Sequence, residues 1–388
     1  MQSKQLNHCV IQPVADDRPA LRISRLIGSI FALQLLVATC GCFSDPAPTS
    51  ESVVVWGKRG LDEGRFQKPR AIAIDSLDNV YVVDMTARIQ VFDPEGNYLR
   101  SWRTPEFKNG KPCGLSFSKD GLLMVADTHY YRLLFYTPQG ELVEEKTIGG
   151  TSGRGPGEFG FVTDSAQDSS GNYYVSDYGD YDRIQKFDSD GNYLFEWGGH
   201  GTEEMEFLRP QGIAVDDDDL LWVADACNHR ISIFDARGDD VTLVDTWGEM
   251  GTEVGKLRYP YDIWLADDGT VFVAEFGNNR VQRFTREGES LGAWGGPGRQ
   301  PGQLHQPWGL GLNSRGVIHV LDSYNHRLQT FNWDDQPLVA PGNRMPGQPP
   351  TDEELMDSPE GDAATARDAQ STADQLTETG DGERSNGR

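Results

Sequence analysis

Four landmarks recur six times between Val53 and Asn332, and their common spacing limits the fold more than any other feature of the chain. An acidic residue stands at Asp84, Asp127, Asp177, Asp225, Glu275 and Asp322. Fifteen places before each lie Pro69, Pro112, Val162, Pro210, Pro260 and Pro307. An arginine follows the acid by four to six places, at Arg88, Arg132, Arg183, Arg230, Arg280 and Arg327. Four places beyond each arginine comes an aromatic: Phe92, Tyr136, Phe187, Phe234, Phe284 and Phe331. The segments between landmarks are short, alternate apolar with polar residues or run apolar, and end at Gly, Asp or Asn. That is the pattern of four strands joined by tight turns. A repeat of 43 to 50 residues built from four strands predicts a propeller. A single thin blade cannot bury both faces, so its aromatics must be covered by neighbouring blades.

The last unit stops at Phe331-Asn332 without a fourth strand, which the other units close on a Trp-Gly pair or its equivalent. The missing strand lies at the other end, as Val53-Val54-Val55-Trp56-Gly57. The expected fold is therefore all-β: a six-bladed β-propeller over residues 53–332, closed by an N-terminal strand.

The fourth unit is the clearest. It reads Pro210-Gln211-Gly212-Ile213-Ala214-Val215-Asp216, then Leu221-Trp222-Val223-Ala224-Asp225, then Asn228-His229-Arg230-Ile231. This motif resembles the NHL repeat family, and the resemblance spans roughly 280 residues. It implies the propeller fold and leaves the function open, because one scaffold hosts many roles.

Outside the repeats the chain changes character. Arg22 and Arg25 precede a short apolar run, Leu26 to Ala38, which is too short to span a bilayer and reads as a secretion signal. Cysteines follow at Cys40 and Cys42, in contexts that resemble a bacterial lipobox. Residues 1–42 are thus expected to be a signal and lipoprotein segment, with Cys40 or Cys42 lipidated. Residues 43–52 would form a polar tether. Residues 333–388 are acidic, rich in Pro, Gly and Thr, and without an aromatic after Trp333, so a disordered tail is expected. The corresponding location is the cell envelope, lipid-anchored and facing the periplasm or exterior; with an ordinary cleaved signal peptide instead, the protein would be secreted.

The net charge of −25 disfavours a nucleic-acid partner, which is bound through Lys and Arg. In the folded region only Cys113 and Cys227 remain, two blades apart, so a disulfide between them is not expected.

Residues shared by every unit answer to the scaffold. The acid–arginine pairs are expected to brace turns, and His229 and His326 sit in an Asn-His-Arg turn that the repeat prescribes. Function is better sought where units disagree. The residue after each proline landmark, where the innermost strand begins, is Arg70, Cys113, Thr163, Gln211, Tyr261 or Trp308. The next is Ala71, Gly114, Asp164, Gly212, Asp262 or Gly309, in which Asp164 and Asp262 depart from a small-residue rule. Arg70, Asp164, Gln211, Tyr261, Asp262 and Trp308 are therefore the candidate ligand residues of the channel mouth. Tyr130, Tyr131, Tyr178 and Tyr181 lie in the most irregular turns and are expected to form partner-binding loops.

These residues point to a monomeric, non-catalytic binding propeller without a cofactor, recognising a protein or peptide. The alternative is a metal-dependent lyase or hydrolase at the central channel, resembling peptidyl-hydroxyglycine lyases or lactonases. It would use calcium or zinc near Asp164 or Asp262. Histidines do not occupy the inner-strand register that a zinc lyase of that kind uses.

Overall fold

The computed structural model describes residues 52–109, 111–179 and 181–348. The expected signal segment, the lipidation candidates Cys40 and Cys42, and residues 349–388 of the expected tail lie outside the described residues.

Among the described residues, 24 strands form six four-stranded antiparallel sheets. In blade 1 these run from the inner strand Pro69–Ile74 through Val80–Asp84 and Arg88–Phe92 to the outer strand Tyr98–Arg103. Blades 2 to 5 repeat that order. Blade 6 takes its three inner strands from Leu310–Leu312, Val317–Asp322 and Arg327–Asn332. Its outer strand is Val54–Trp56, paired antiparallel with Arg327–Asn332 so that Val55 faces Gln329. The ring is closed by the N-terminal strand, as the displaced Trp-Gly predicts.

The core consists of layers between blades. Ile89 and Val91 of blade 1 bury against Leu134 and Tyr136 of blade 2, and similar clusters join each later pair of neighbours. A last cluster packs Ile72, Val80 and Phe92 of blade 1 on Leu321 and Leu328 of blade 6. Each blade buries its apolar faces only by having two neighbours, so closing the ring completes the core.

The acid and arginine of every unit meet as an ion pair, at distances from 2.5 Å for Glu275–Arg280 to 3.3 Å for Asp84–Arg88 and Asp177–Arg183. The guanidinium also donates to carbonyls of the loop that enters the same blade; Arg230 reaches Thr202, Glu203 and Glu206. The acid accepts from the backbone of that loop, as Asp225 does from Leu208 N–H at 2.8 Å. The turn residue before the arginine adopts a left-handed backbone and can reach the next loop. His229 Nδ1 accepts from Tyr259 N–H at 3.1 Å, and His326 Nδ1 from Lys68 N–H at 3.0 Å. These histidines are latches between blades.

The expected tail differs from the structure over its first residues. Trp333 is buried against Phe272, Val339 exchanges backbone hydrogen bonds with Ala293, and Met345 is buried with Val254. Three apolar side chains spaced along 333–348 suffice to hold this segment against the outer edge of blade 5, despite its polar composition. Cys113 and Cys227 are free thiols.

Candidate functional site

Each inner strand begins at the face that carries the blade-to-blade loops, and its first residues ring the central axis. All six candidate mouth residues line one central cavity of about 360 Å³: Arg70, Asp164, Gln211, Tyr261, Asp262 and Trp308. The volume falls in the range of small-ligand sites, roughly 300–1,000 Å³.

The two aspartates occupy alternate blades, and the reason is steric. A Cβ on Gly114 would lie 2.6 Å from Asp164 Oδ1, and one on Gly212 would lie 2.8 Å from Asp262 Oδ1. Glycine in blades 2 and 4 thus makes room for the carboxyls of blades 3 and 5. Each carboxyl then ties its blade to the next. Asp164 Oδ2 accepts from Ile213 N–H at 3.0 Å, and Asp262 Oδ2 accepts from Leu310 N–H at 2.8 Å. Burial disfavours their charged forms. It pushes Asp262 up to about 7, and Asp164 well above the usual carboxylate range with a further push from Asp262.

Beside Asp262 the rim is aromatic. Tyr261 stacks on Phe276 at 4.4 Å between ring centroids, and Trp308 meets Tyr261 edge-on at 5.1 Å. Burial pushes the Tyr261 phenol up to about 12. Cations cover these rings. Arg70 lies over Trp308 at 4.6 Å, Arg209 over Tyr178 at 4.9 Å and over Tyr261 at 5.5 Å, and Lys68 over Tyr324 at 3.9 Å. Gln211 is buried, and its Nε2 has no hydrogen-bond partner among the described residues.

Phe276, Tyr324, Lys68 and Arg209 escape a reading confined to the inner strands, because they come from turns and entering loops. A signal for two of them exists: Lys68 and Arg209, like Lys111, stand one place before a proline landmark. Lys68 and Arg209 have positive φ there.

The four loop tyrosines are half-buried rather than exposed. Phe161 of blade 3 touches both Tyr131 of blade 2, at 6.4 Å, and Tyr178 of its own blade, at 5.2 Å. Tyr131 therefore packs between blades 2 and 3. Tyr130 lies beneath Arg132 and Tyr181 beneath Arg183. Tyr178 alone of the four reaches the mouth, through Arg209. Among the described residues no group of three His, Cys, Asp or Glu side chains is placed to hold a metal ion.

Residues 207–234 and 304–331, in blades 4 and 6, match the model of the NHL repeat. These two blades are NHL repeats. The curated relatives carry the same name: NHL repeat-containing protein 3 of Mus musculus is 30% identical over 179 residues, covering 42% of this chain and 51% of its own length. The Homo sapiens protein of that name is 27% identical over 187 residues, with the same two coverages. The chain spans about half the length of the curated relatives it matches. Among solved structures, a streptogramin B lyase superposes with a TM-score of 0.53 at 16% identity, over 74% of this chain and 99% of the lyase. A virginiamycin B lyase from Staphylococcus aureus superposes with a TM-score of 0.50 at 14% identity, over 72% of this chain and 98% of that one. At such identities the likeness is one of fold, and this propeller must be read for function from its own mouth.

Proposed function

We propose that this NHL propeller is an extracytoplasmic binding and scaffold protein, held to a membrane through a lipidated Cys40 or Cys42, that recognises a protein or peptide at its loop face and channel mouth. The observation that carries the reading is the mouth itself. Its side chains are those the repeat does not dictate, drawn from several blades into one cavity with aromatic walls and unpartnered donors. Aromatics and arginines at the rim of a preformed cavity suit recognition of a partner. The lyase or hydrolase alternative has less support, since Asp164 and Asp262 are engaged with backbone N–H groups of the next blade.

Photocrosslinking in cells tests this. Benzoylphenylalanine at position 324, beside the mouth, is expected to capture a protein or peptide identifiable by mass spectrometry. The same residue at position 99, exposed on the outer strand of blade 1, is not. Equal capture at both positions, or capture only at 99, overturns the reading of the mouth. The anchor is checked separately: labelling with palmitate should disappear when Cys40 and Cys42 are both replaced by Ala.

A further inference from the structure

The mouth concentrates positive charge on a chain whose net charge is −25. Lys68, Arg70, Lys111 and Arg209 come from blades 1, 2 and 4 or the loops entering them, and among the described residues none of the four forms an ion pair with a carboxylate. The arginines that brace the blades all do. Arg70 donates to Lys111 O at 3.2 Å and to Cys113 Sγ at 3.4 Å, while its buried Nε is unpartnered. Arg209 Nε is also buried and unpartnered among the described residues. Nearby, burial together with Lys111 and Arg70 pushes the His129 imidazole down to about 4, which reflects the same local field. Buried guanidinium nitrogens without an acceptor are costly, and an arriving anion would relieve that cost.

The geometry narrows the anion. A guanidinium lying over an aromatic ring uses its flat face there and keeps its in-plane N–H fork for a planar partner such as a carboxylate. Beyond the mouth Ile72, Leu115, Ile263 and Leu310 line the cavity together with Thr163, Asp164, Gln211 and Asp262, so a group attached to the anion would find apolar surface set among polar groups. About 360 Å³ accommodates the end of a chain and not a folded domain.

We infer that the ligand is a peptide C-terminus: Arg70 and Arg209 hold its terminal carboxylate while an apolar or aromatic last side chain enters the cavity against Tyr261 and Trp308. This rests on the reading of the mouth as a peptide-binding site and specifies which part of the peptide it takes.

The test compares an array of random hexapeptides, coupled through their N-termini, in free-acid and C-terminal amide form, probed with the full chain. The best binder is then titrated calorimetrically in both forms. The free acid is expected to bind roughly ten- to hundredfold more tightly than the amide, the worth of a charge-assisted pair. Arg70→Gln should remove most of that difference, and Arg237→Gln, on an exposed turn of blade 4, should leave it intact. Equal binding of acid and amide overturns the carboxylate assignment and leaves the broader binding reading standing. Absence of binding in both forms overturns the assignment as well, and crosslinking at position 324 then decides separately whether the mouth recognises some other part of a protein. The acid–amide comparison needs no variant, so a misfolded Arg70→Gln would not blur the outcome.

Discussion

Blades 5 and 2 carry the same acid–arginine pair and hold it differently. In blade 5 both Glu275 and Arg280 are fully buried. Arg280 donates to Thr252 O, Glu253 O and Lys256 O, while Asn278 and Gln282 donate to the remaining carboxylate positions of Glu275. In blade 2, Arg132 reaches Asp127 at 2.9 Å, and in the entering loop it finds one carbonyl, Pro105 O at 3.5 Å, and the exposed carboxylate of Glu106 at 3.3 Å. Asp127 Oδ1 is buried without a partner among the described residues. Tyr130 stands where blades 4, 5 and 6 have Asn228, Asn278 and Asn325, so the missing donor is a matter of one residue. The edges differ too. Blade 5 is overlaid by residues around Val339, whereas the outer strand of blade 2 is only Ile148–Gly149. A repeat thus sets the position of a polar cluster, and its local partners set its worth.

The largest effect that can sharpen this contrast is loss of the arginine. Arg280→Ala leaves Glu275 buried and uncompensated, and should destabilise the protein by about 3–5 kcal/mol. Arg132→Ala also leaves a buried carboxyl, but Asp127, raised to about 6, can shed its charge by taking up a proton, so at pH 5 the loss should be smaller, about 1–2 kcal/mol. Urea unfolding of both variants measures the difference. Equal losses would break the comparison.

Acidity offers a second route. Burial is the main cause that raises Asp127 to about 6, against the pull of Arg132. Because its folded pKa lies above the unfolded value of about 3.9, the folded state holds the proton more tightly. The contribution of this group is therefore fully present below about pH 4 and is lost as pH rises through 6. Relative to Asp127→Asn, the natural chain should lose about 1 kcal/mol of stability between pH 5 and pH 8. Thermal unfolding of the two proteins across that range checks the sign. A gap that narrows in the opposite direction would show that Arg132 outweighs burial.

The two blades also show what could be read from the chain alone. Proline, acid, arginine and aromatic recur because each has the same job in every blade, so fold, blade number and ring closure were all legible. The six mouth residues were legible as well, since one register position opens every inner strand. Arg209, Phe276 and Tyr324 were not, because their place at the mouth depends on how turns and loops from separate blades converge, and no spacing along the chain encodes that. The buried engagement of the loop tyrosines was hidden for a related reason. A tyrosine beside aspartates looks exposed until Phe161, thirty residues on from Tyr131, fills the space beside it. Packing of residues 333–348 was obscured by composition, because Trp333, Val339 and Met345 are few among many polar residues.

The smallest predicted effect is a repair. Tyr130→Asn would place in blade 2 the amide that Asn278 supplies in blade 5, where Nδ2 donates to the acid at 2.6 Å and to Gly251 O at 2.9 Å. In blade 2 the new donor would meet Asp127 Oδ1, the oxygen now without a partner. One hydrogen bond to a buried charged group contributes about 1 kcal/mol net, from which the lost contact of Arg132 over the Tyr130 ring must be subtracted. The expected gain is thus a few tenths of a kcal/mol up to about 1. It should be local, seen as slower amide exchange in Leu123–Asp127 and Arg132–Tyr136 with no change in blade 5. A uniform change across the ring would mean that the two blades do not open independently. Their different bonding would then be averaged by the closed core instead of being felt blade by blade.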